Sequence, residues 1–331
     1  MKVLINKEIS IEKWNKLLTL SLYTSPFQLP SFYNLFNAVS GLSADVFAVE
    51  ERSEIKALCV VTLQKESGIK GFFSRRAIIY GGPVLYEAKE KEVELLISSI
   101  EKNLKRKVIY IEIRNLHDYN VYYEIFKRNN WRYLSYQNFI INCTDKDFLY
   151  NSMSNNRKRQ IKKAISNGVK IKEAENLNEI KEYYTILHGL YSKKIKKPLF
   201  PYYFFKTFFE SDLGVFLLVF FNDKVIGGIM CPVMPQKAIY EFYICGLDAE
   251  YKDQYPSVMA TWAAIEYGLQ NNIPLFDLMG AGSPEEYYGV REFKARFGGE
   301  LVENGRFLRV LNPILFNFGR LCLRVLSRIK G

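Results

Sequence analysis

The order of secondary-structure signals in this chain occurs twice, and that duplication limits the fold more than any other feature. DVFAVEERSEIKALCVVTLQ (45–64) reads as two strands joined across the polar turn ERSE. RAIIYGGPVL (76–85) is a further strand, stopped by Gly81, Gly82 and Pro83. KEVELLISSIEKNLKR (91–106) places apolar residues at 93, 96, 97, 100 and 104, a helical period. KVIYIEIRN, VYYEIFKRN and RYLSYQNFIIN then predict a strand, a short helix and a last strand. The second half repeats this. VFLLVFFNDKVIGGIMCPVM (215–234) is a hairpin turning at Asn222–Asp223, and KAIYEFYICG (237–246) is one more strand. SVMATWAAIEYGLQNN sets Val258, Trp262, Ile265 and Leu269 on one helical face. PLFDLMG, VREFKARF and ELVENGRFLRV close the copy as strand, short helix and strand. The prediction is an α/β (α+β) chain of two similar domains with mixed sheets, 1–150 and 151–331. The second opens on a mostly helical, basic segment, 151–210.

The formal net charge is +11 over 331 residues, and its location says more than its size. Residues 151–200 carry twelve Lys/Arg against four Glu, and residues 301–331 six against one, so the remainder is nearly balanced. Localised basicity points to an anionic partner. Five scattered cysteines without C-x-x-C spacing read as small buried hydrophobes in a reducing compartment. Two histidines, His117 and His188, leave little for a multi-histidine metal site or a Ser-His-Asp triad, so no metal is expected. The longest apolar run, Val215 to Phe221, falls far short of the roughly 18 residues that span a bilayer. The N-terminus carries charges where a signal peptide would be apolar, and a cytosolic location is expected.

The duplicated order resembles the GNAT acyltransferase fold. The residues resemble the Fem family (FemABX-type) of peptidyltransferases, which move amino acids from aminoacyl-tRNA onto cell-wall precursors. The stretches that carry the likeness are SPFQLPSFY, RKRQIKKAISNGVKI, KVIGGIMCPV, WAAIEYGLQNNIPLFDLMG and GVREFKARFGG, in the family's order and across most of the chain. No heptad segment provides a coiled-coil arm, so the likeness is to arm-less members. The resemblance implies two tandem GNAT-like domains with a cleft between them, the first on the acceptor side, the second catalytic and on the donor side. The glycine-rich loop with which ordinary GNAT enzymes hold the pyrophosphate of acetyl-CoA should precede the 257–271 helix. That region reads Gln254-Tyr-Pro-Ser-Val-Met, without a glycine to let backbone amides close on a phosphate.

Several residues are candidates for the chemistry. Arg157, Lys158, Arg159, Lys162 and Lys163 crowd the start of a helix, with Ile161, Ala164 and Ile165 expected to face inward. This basic face is either solvated or bound to phosphate from tRNA or a precursor. YSKKIKKPLFPYYFF sets lysines beside aromatics, a pattern suited to phosphates and a stackable ring. By resemblance Lys197 and Tyr203 would hold the diphosphate and uracil of a precursor. Tyr240 and Tyr243, three apart on one predicted strand, would face opposite sides, and the resemblance favours Tyr243 as substrate-binding. Glu241 is a candidate base or a buried partner, and Asp277 a structural hydrogen-bonding group. Aminolysis of an ester needs positive charge or N–H donors where the oxyanion develops. Lys294, expected between Phe293 and Phe297, is the leading catalytic candidate, with Phe293 framing it. The resemblance assigns the lysine of this F-K motif that role.

The expected activity is amide formation on an amine of a peptidoglycan or other envelope precursor, with aminoacyl-tRNA or acyl-CoA as co-substrate and no resident cofactor. An acyl-CoA-dependent N-acyltransferase acting on an amino sugar, and a non-catalytic RNA-binding protein, are the alternatives. The tail NPILFNFGRLCLRVLSRIKG places Arg320, Arg324 and Arg328 in one stripe, the pattern of a packed final helix or of peripheral contact with the inner face of a membrane.

Overall fold

The computed structural model describes residues 1–66, 68 and 70–329, with residue 70 and residues 322–329 described by their backbone alone. In chain order the first elements are β1 (Lys2–Ile5), α1 (Ile11–Leu20), α2 (Pro30–Ala38), β2 (Ser43–Glu51), β3 (Glu54–Gln64), α3 (Lys70–Ser74) and β4 (Arg76–Gly81). There follow β5 (Val84–Leu85), α4 (Glu90–Leu104), β6 (Tyr110–Asn115), α5 (Tyr123–Arg128), β7 (Arg132–Leu134), β8 (Gln137–Asn142), α6 (Lys146–Ser152) and α7 (Asn155–Ser166). Next come β9 (Lys170–Glu173), α8 (Leu177–Leu190), α9 (Tyr202–Phe209), β10 (Gly214–Phe221), β11 (Lys224–Met234), β12 (Ala238–Tyr240) and β13 (Tyr243–Gly246). The last are α10 (Pro256–Gln270), β14 (Leu275–Gly282), α11 (Gly289–Ala295), β15 (Glu300–Glu303), β16 (Arg306–Val310) and α12 (Pro313–Ile329).

The chain divides into two compact units, 1–135 with 304–331, and 136–303. The first has a mixed sheet in the order β1-β2-β3-β4-β6-β16-β7, with β5 on β3. The second runs β9-β10-β11-β12-β14-β8-β15, with β13 on β11, which is the same order position for position. The boundary differs from the expected break after residue 150. Each expected last strand is broken: 132–142 yields β7 in the first sheet and β8 in the second, and 300–310 yields β15 in the second and β16 in the first. The two halves therefore exchange one strand each. The break at Asn304–Gly305 has its reason in the backbone, since Gly305 sits at φ 65 and a Cβ there would strike the Tyr133 ring.

Both hairpins turn as the sequence predicts, with Arg52–Ser53 and Asn222–Asp223 all at positive φ, the two-residue turn that matches strand twist. In the first unit α4 covers the sheet through Val93, Leu96, Ile97, Ile100 and Leu104, all buried. In the second, α10 is buried nearly all round, at residues 256 and 258–265 as well as Gly268, so it is a central helix rather than a one-faced one. The strand expected over 237–246 divides at Glu241. Its first part, β12, pairs the end of β11 at Val233–Met234, and its second, β13, pairs β11 at Gly227–Met230. That division makes the site.

Candidate active site

In the second unit β12 and β14 run parallel, joined by a crossover through α10. Their pairing ends at Tyr240 opposite Asp277, where the Glu241 amide donates to the Asp277 carbonyl at 2.9 Å. Beyond that bond β13 follows β11 while β14 follows β8. A crevice at the carboxyl ends of parallel strands, where neighbours part, is where open α/β sheets characteristically bind ligands. β14 is kinked at this point: Met279 takes φ +51, and its amide donates to Asp277 Oδ1 at 2.6 Å, with register shifts on either side of Gly280. A non-glycine residue in the left-handed region beside a bulge is the kind of backbone strain found at functional sites.

Lys294 enters this split from α11. Its side chain is only 5% exposed, and its ammonium lies 2.9 Å from Glu241 Oε1. It also donates to the carbonyls of Leu278 and of Gly280, the latter at 3.1 Å. These three acceptors match the three N–H donors of an ammonium. Glu241 Oε2 is buried and has no hydrogen-bond partner, and burial pushes the Glu241 carboxyl up against the opposing pull of Lys294. Asp277, also buried, is raised to about 7, chiefly by desolvation, while its bonds from Met279 and from Asn138 (3.5 Å) pull the other way. One ammonium and two carboxyls thus lie buried together, and burial raises the proton affinity of both carboxyls. In the first sheet neutral groups bond to carbonyls at the end of β4. The Gln28 amide bridges the carbonyls of Val60 and Tyr80, and the Tyr119 hydroxyl donates to those of Gly81 and Pro83.

The aromatic frame expected around Lys294 holds a different cation. The Arg157 guanidinium sits 4.5 Å from the Phe293 ring centre and 4.1 Å from that of Phe297. It donates to the Phe293 carbonyl and to Gln160, each at 2.9 Å. Arg157 is 2% exposed, and burial pulls its guanidinium down to about 10. Arg157 is therefore a packed cation that fixes α11 from α7, which corrects its expected place on a basic face either solvated or bound to phosphate. Ile165, expected inward, is 54% exposed. Gly298 and Gly299, both at positive φ, close the turn after α11. A Cβ on Gly299 would come 2.8 Å from the Ile140 carbonyl, so the turn after α11 lies hard against β8.

The remaining candidates separate. Lys162 and Lys163 face solvent on α7, where Lys163 pairs with Asp253 at 2.7 Å. Tyr243 packs among Phe205 (5.3 Å between ring centres), Tyr191 (5.8 Å) and Phe200 (6.1 Å). Phe200, buried, follows the exposed lysines 193, 194, 196 and 197, and Tyr243 lies two residues from Glu241. Tyr203 is half exposed with Lys206 over its ring, outside that aromatic group. Tyr240 is buried, and burial together with Asp277 pushes its hydroxyl up. Tyr240 and Tyr243 lie on different strands, so the opposite-faces reading does not apply. Asn138 and the Asp277–Met279 kink escaped sequence reasoning, because neither has a local signature. At the start of α10, Ser257 donates through its amide (3.1 Å) and its hydroxyl to the Asp248 carboxylate. The place where a GNAT pyrophosphate would meet the helix dipole is already occupied by an anion.

Residues 222–323 match the FemAB family, a span that includes Glu241, Asp277 and Lys294. The match bears out the family resemblance and with it the class of enzyme, an acyl- or aminoacyltransferase. Over 96% of this chain and 99% of the other, the fold is shared with FemX, at a TM-score of 0.72 and 13% identity. The C-terminal domain of a putative lysylphosphatidylglycerol synthetase from Agrobacterium fabrum matches at a TM-score of 0.59 and 11% identity, over 95% of this chain and 94% of that one. A tandem GNAT protein from the clavulanic acid biosynthesis pathway matches at 0.59 and 9%, over 94% and 99%. These likenesses establish the tandem GNAT-like fold. No curated protein matches the sequence.

Proposed function

We propose that this chain, whose residues 222–323 match the FemAB family, transfers an aminoacyl group from aminoacyl-tRNA to an amine of a peptidoglycan or other envelope precursor. The observation that carries the proposal is the buried ammonium of Lys294 at the parting of β12 and β14. Aminolysis of an ester places negative charge on the carbonyl oxygen, and a preorganised cation in a dry site stabilises that charge most. All three donors of Lys294 are engaged, so it meets the oxyanion by exchanging one acceptor. The Gly280 carbonyl, at 3.1 Å on the kinked strand, is the one to yield. Glu241 holds the ammonium in place. The exposed lysines around 193–197 and the aromatic group of Tyr243 are assigned to the phosphates and ring of the acceptor, and Lys162 and Lys163 to tRNA phosphates.

The donor assignment is supported by the α10 terminus. Asp248 repels a pyrophosphate there, which favours aminoacyl-tRNA over acyl-CoA as co-substrate. No helix among the described residues is long and apolar enough to cross a membrane, and contact with a membrane-borne acceptor would be peripheral. The test uses the chemistry of the bond. An aminoacyl ester is cleaved by mild alkali and an amide is not. Labelled, charged tRNA incubated with the protein and an envelope-precursor extract should yield alkali-stable label. Label that moves instead from acetyl-CoA, with tRNA esters untouched, overturns the donor assignment in favour of the CoA-dependent sugar N-acyltransferase. Salt-sensitive RNA binding with no transfer from either donor favours the RNA-binding alternative.

A further inference from the structure

The first unit carries a surface that its own fold leaves uncovered. α3 presents Phe72 and Phe73, 54% and 40% exposed, with their rings in contact. α12 lies beside it, its Phe318 ring 5.4 Å from that of Phe73. Ile314, Phe318 and Leu321 follow at helical spacing on α12, 82%, 48% and 58% exposed. Five large apolar side chains on two adjoining elements form a patch of the kind that marks an interaction site.

Cations border the patch. The Arg75 guanidinium lies 4.8 Å over the Phe72 ring. On the other flank of α12 a groove of about 280 Å³ is lined by Arg132, Arg309 and Arg320 together with Leu308, Phe316 and Asn317. Arg309 is tied to Glu101 at 2.8 Å, whereas Arg132 and Arg320 are exposed and belong to no ion pair among the described residues. In sequence, segment 65–76 has four basic residues and one acidic, and segment 313–329 has three arginines and no acid. The side chains of Arg324 and Arg328, part of the expected arginine stripe, lie outside the described residues.

We propose that α3 and the first turns of α12 form a docking surface for an anionic phospholipid bilayer. The phenylalanines, Ile314 and Leu321 enter the headgroup boundary, and Arg75, Arg132 and Arg320 meet lipid phosphates. Charge selects this occupant. A second copy would set like charges against each other, and RNA would engage the arginines while leaving five apolar side chains in water. The inference is independent of which acyl group the second unit transfers.

The full chain is sedimented with vesicles of phosphatidylcholine alone and of phosphatidylcholine with phosphatidylglycerol. Binding is expected to the anionic vesicles only, and to be reversed by high salt. Arg320→Gln is expected to lower partition about fivefold, the equivalent of about 1 kcal/mol for one basic residue at an anionic surface. Phe72→Ser with Leu321→Ser is expected to lower it about tenfold or more. Both side chains are more than half exposed, so the melting temperature should be unchanged. Absence of wild-type binding to anionic vesicles, or equal partition of wild type and variants, overturns the proposal. Loss of self-association in the apolar variant with lipid binding intact would assign the face to a second copy. Loss of RNA binding in Arg320→Gln, again with lipid binding intact, would assign it to nucleic acid.

Discussion

Replacing Lys294 by methionine keeps most of the side-chain volume and removes the charge on which the site is built. The structure fixes the scale of the effect. At 2.9 Å and an effective dielectric of about 20, attraction to Glu241 is about 6 kcal/mol before the desolvation of both ions is subtracted. Methionine leaves the Glu241 carboxylate buried, with one oxygen already partnerless, and strips donors from the Leu278 and Gly280 carbonyls. Breaking a buried pair from one side costs about 3–5 kcal/mol, so the second unit should lose about that much. Removing both charges, Lys294→Met with Glu241→Leu, takes away the stranded carboxylate and should recover most of the loss, a coupling of about 2 kcal/mol or more. Urea unfolding followed by Trp262, which lies in the core of the second unit, reads this directly in a background of Trp14→Phe and Trp131→Phe. A loss below about 1 kcal/mol, the range of an exposed ion pair, refutes the reasoning. So does a double variant no more stable than the single one.

Two further outcomes are expected. Asp277 is raised from its ordinary value of 3.8 to about 7, so the folded unit keeps a proton that the unfolded chain has lost. The contribution of Asp277 to stability should therefore be greatest in acid and fall by up to about 4 kcal/mol as pH rises from about 4 through 7. Asp277→Asn should flatten that slope in urea titrations at acid and alkaline pH, and equal slopes in variant and wild type would count against it. Arg157→Lys removes a planar fork stacked on Phe293 and Phe297 and bonded to the Phe293 carbonyl. It should cost about 1–3 kcal/mol by thermal unfolding, although the charge is kept. A neutral result would show that the charge alone holds α11.

Much of the fold was legible because its signals are local. The two positive-φ turns, the periodicity of α4 and the apolar strands β10 and β14 follow from neighbouring residues. The strand exchange was not, because RYLSYQNFIIN and ELVENGRFLRV each read as one continuous strand, and only long-range pairing decides which half joins which sheet. The same limit hid Asn138, carried into the second sheet on β8. Lys294 stood out as a cation in an apolar frame, but the frame proved to belong to Arg157, 136 residues earlier in the chain. Cation–π pairing at that separation leaves no spacing to read. Glu241 was legible as a buried partner from its place in an otherwise apolar strand, whereas the division of that strand at the same residue depends on how β11 is shared between β12 and β13.

The most direct test is single-turnover transfer of a labelled amino acid from charged tRNA to an envelope-precursor amine, wild type against Lys294→Met, at saturating substrates and equal folded fraction. Loss of an oxyanion-stabilising group predicts a transfer rate lower by about 10²-fold or more, with tRNA affinity little changed. Transfer by the variant within a few-fold of wild type would contradict the account and leave Lys294 as a strut between two strands.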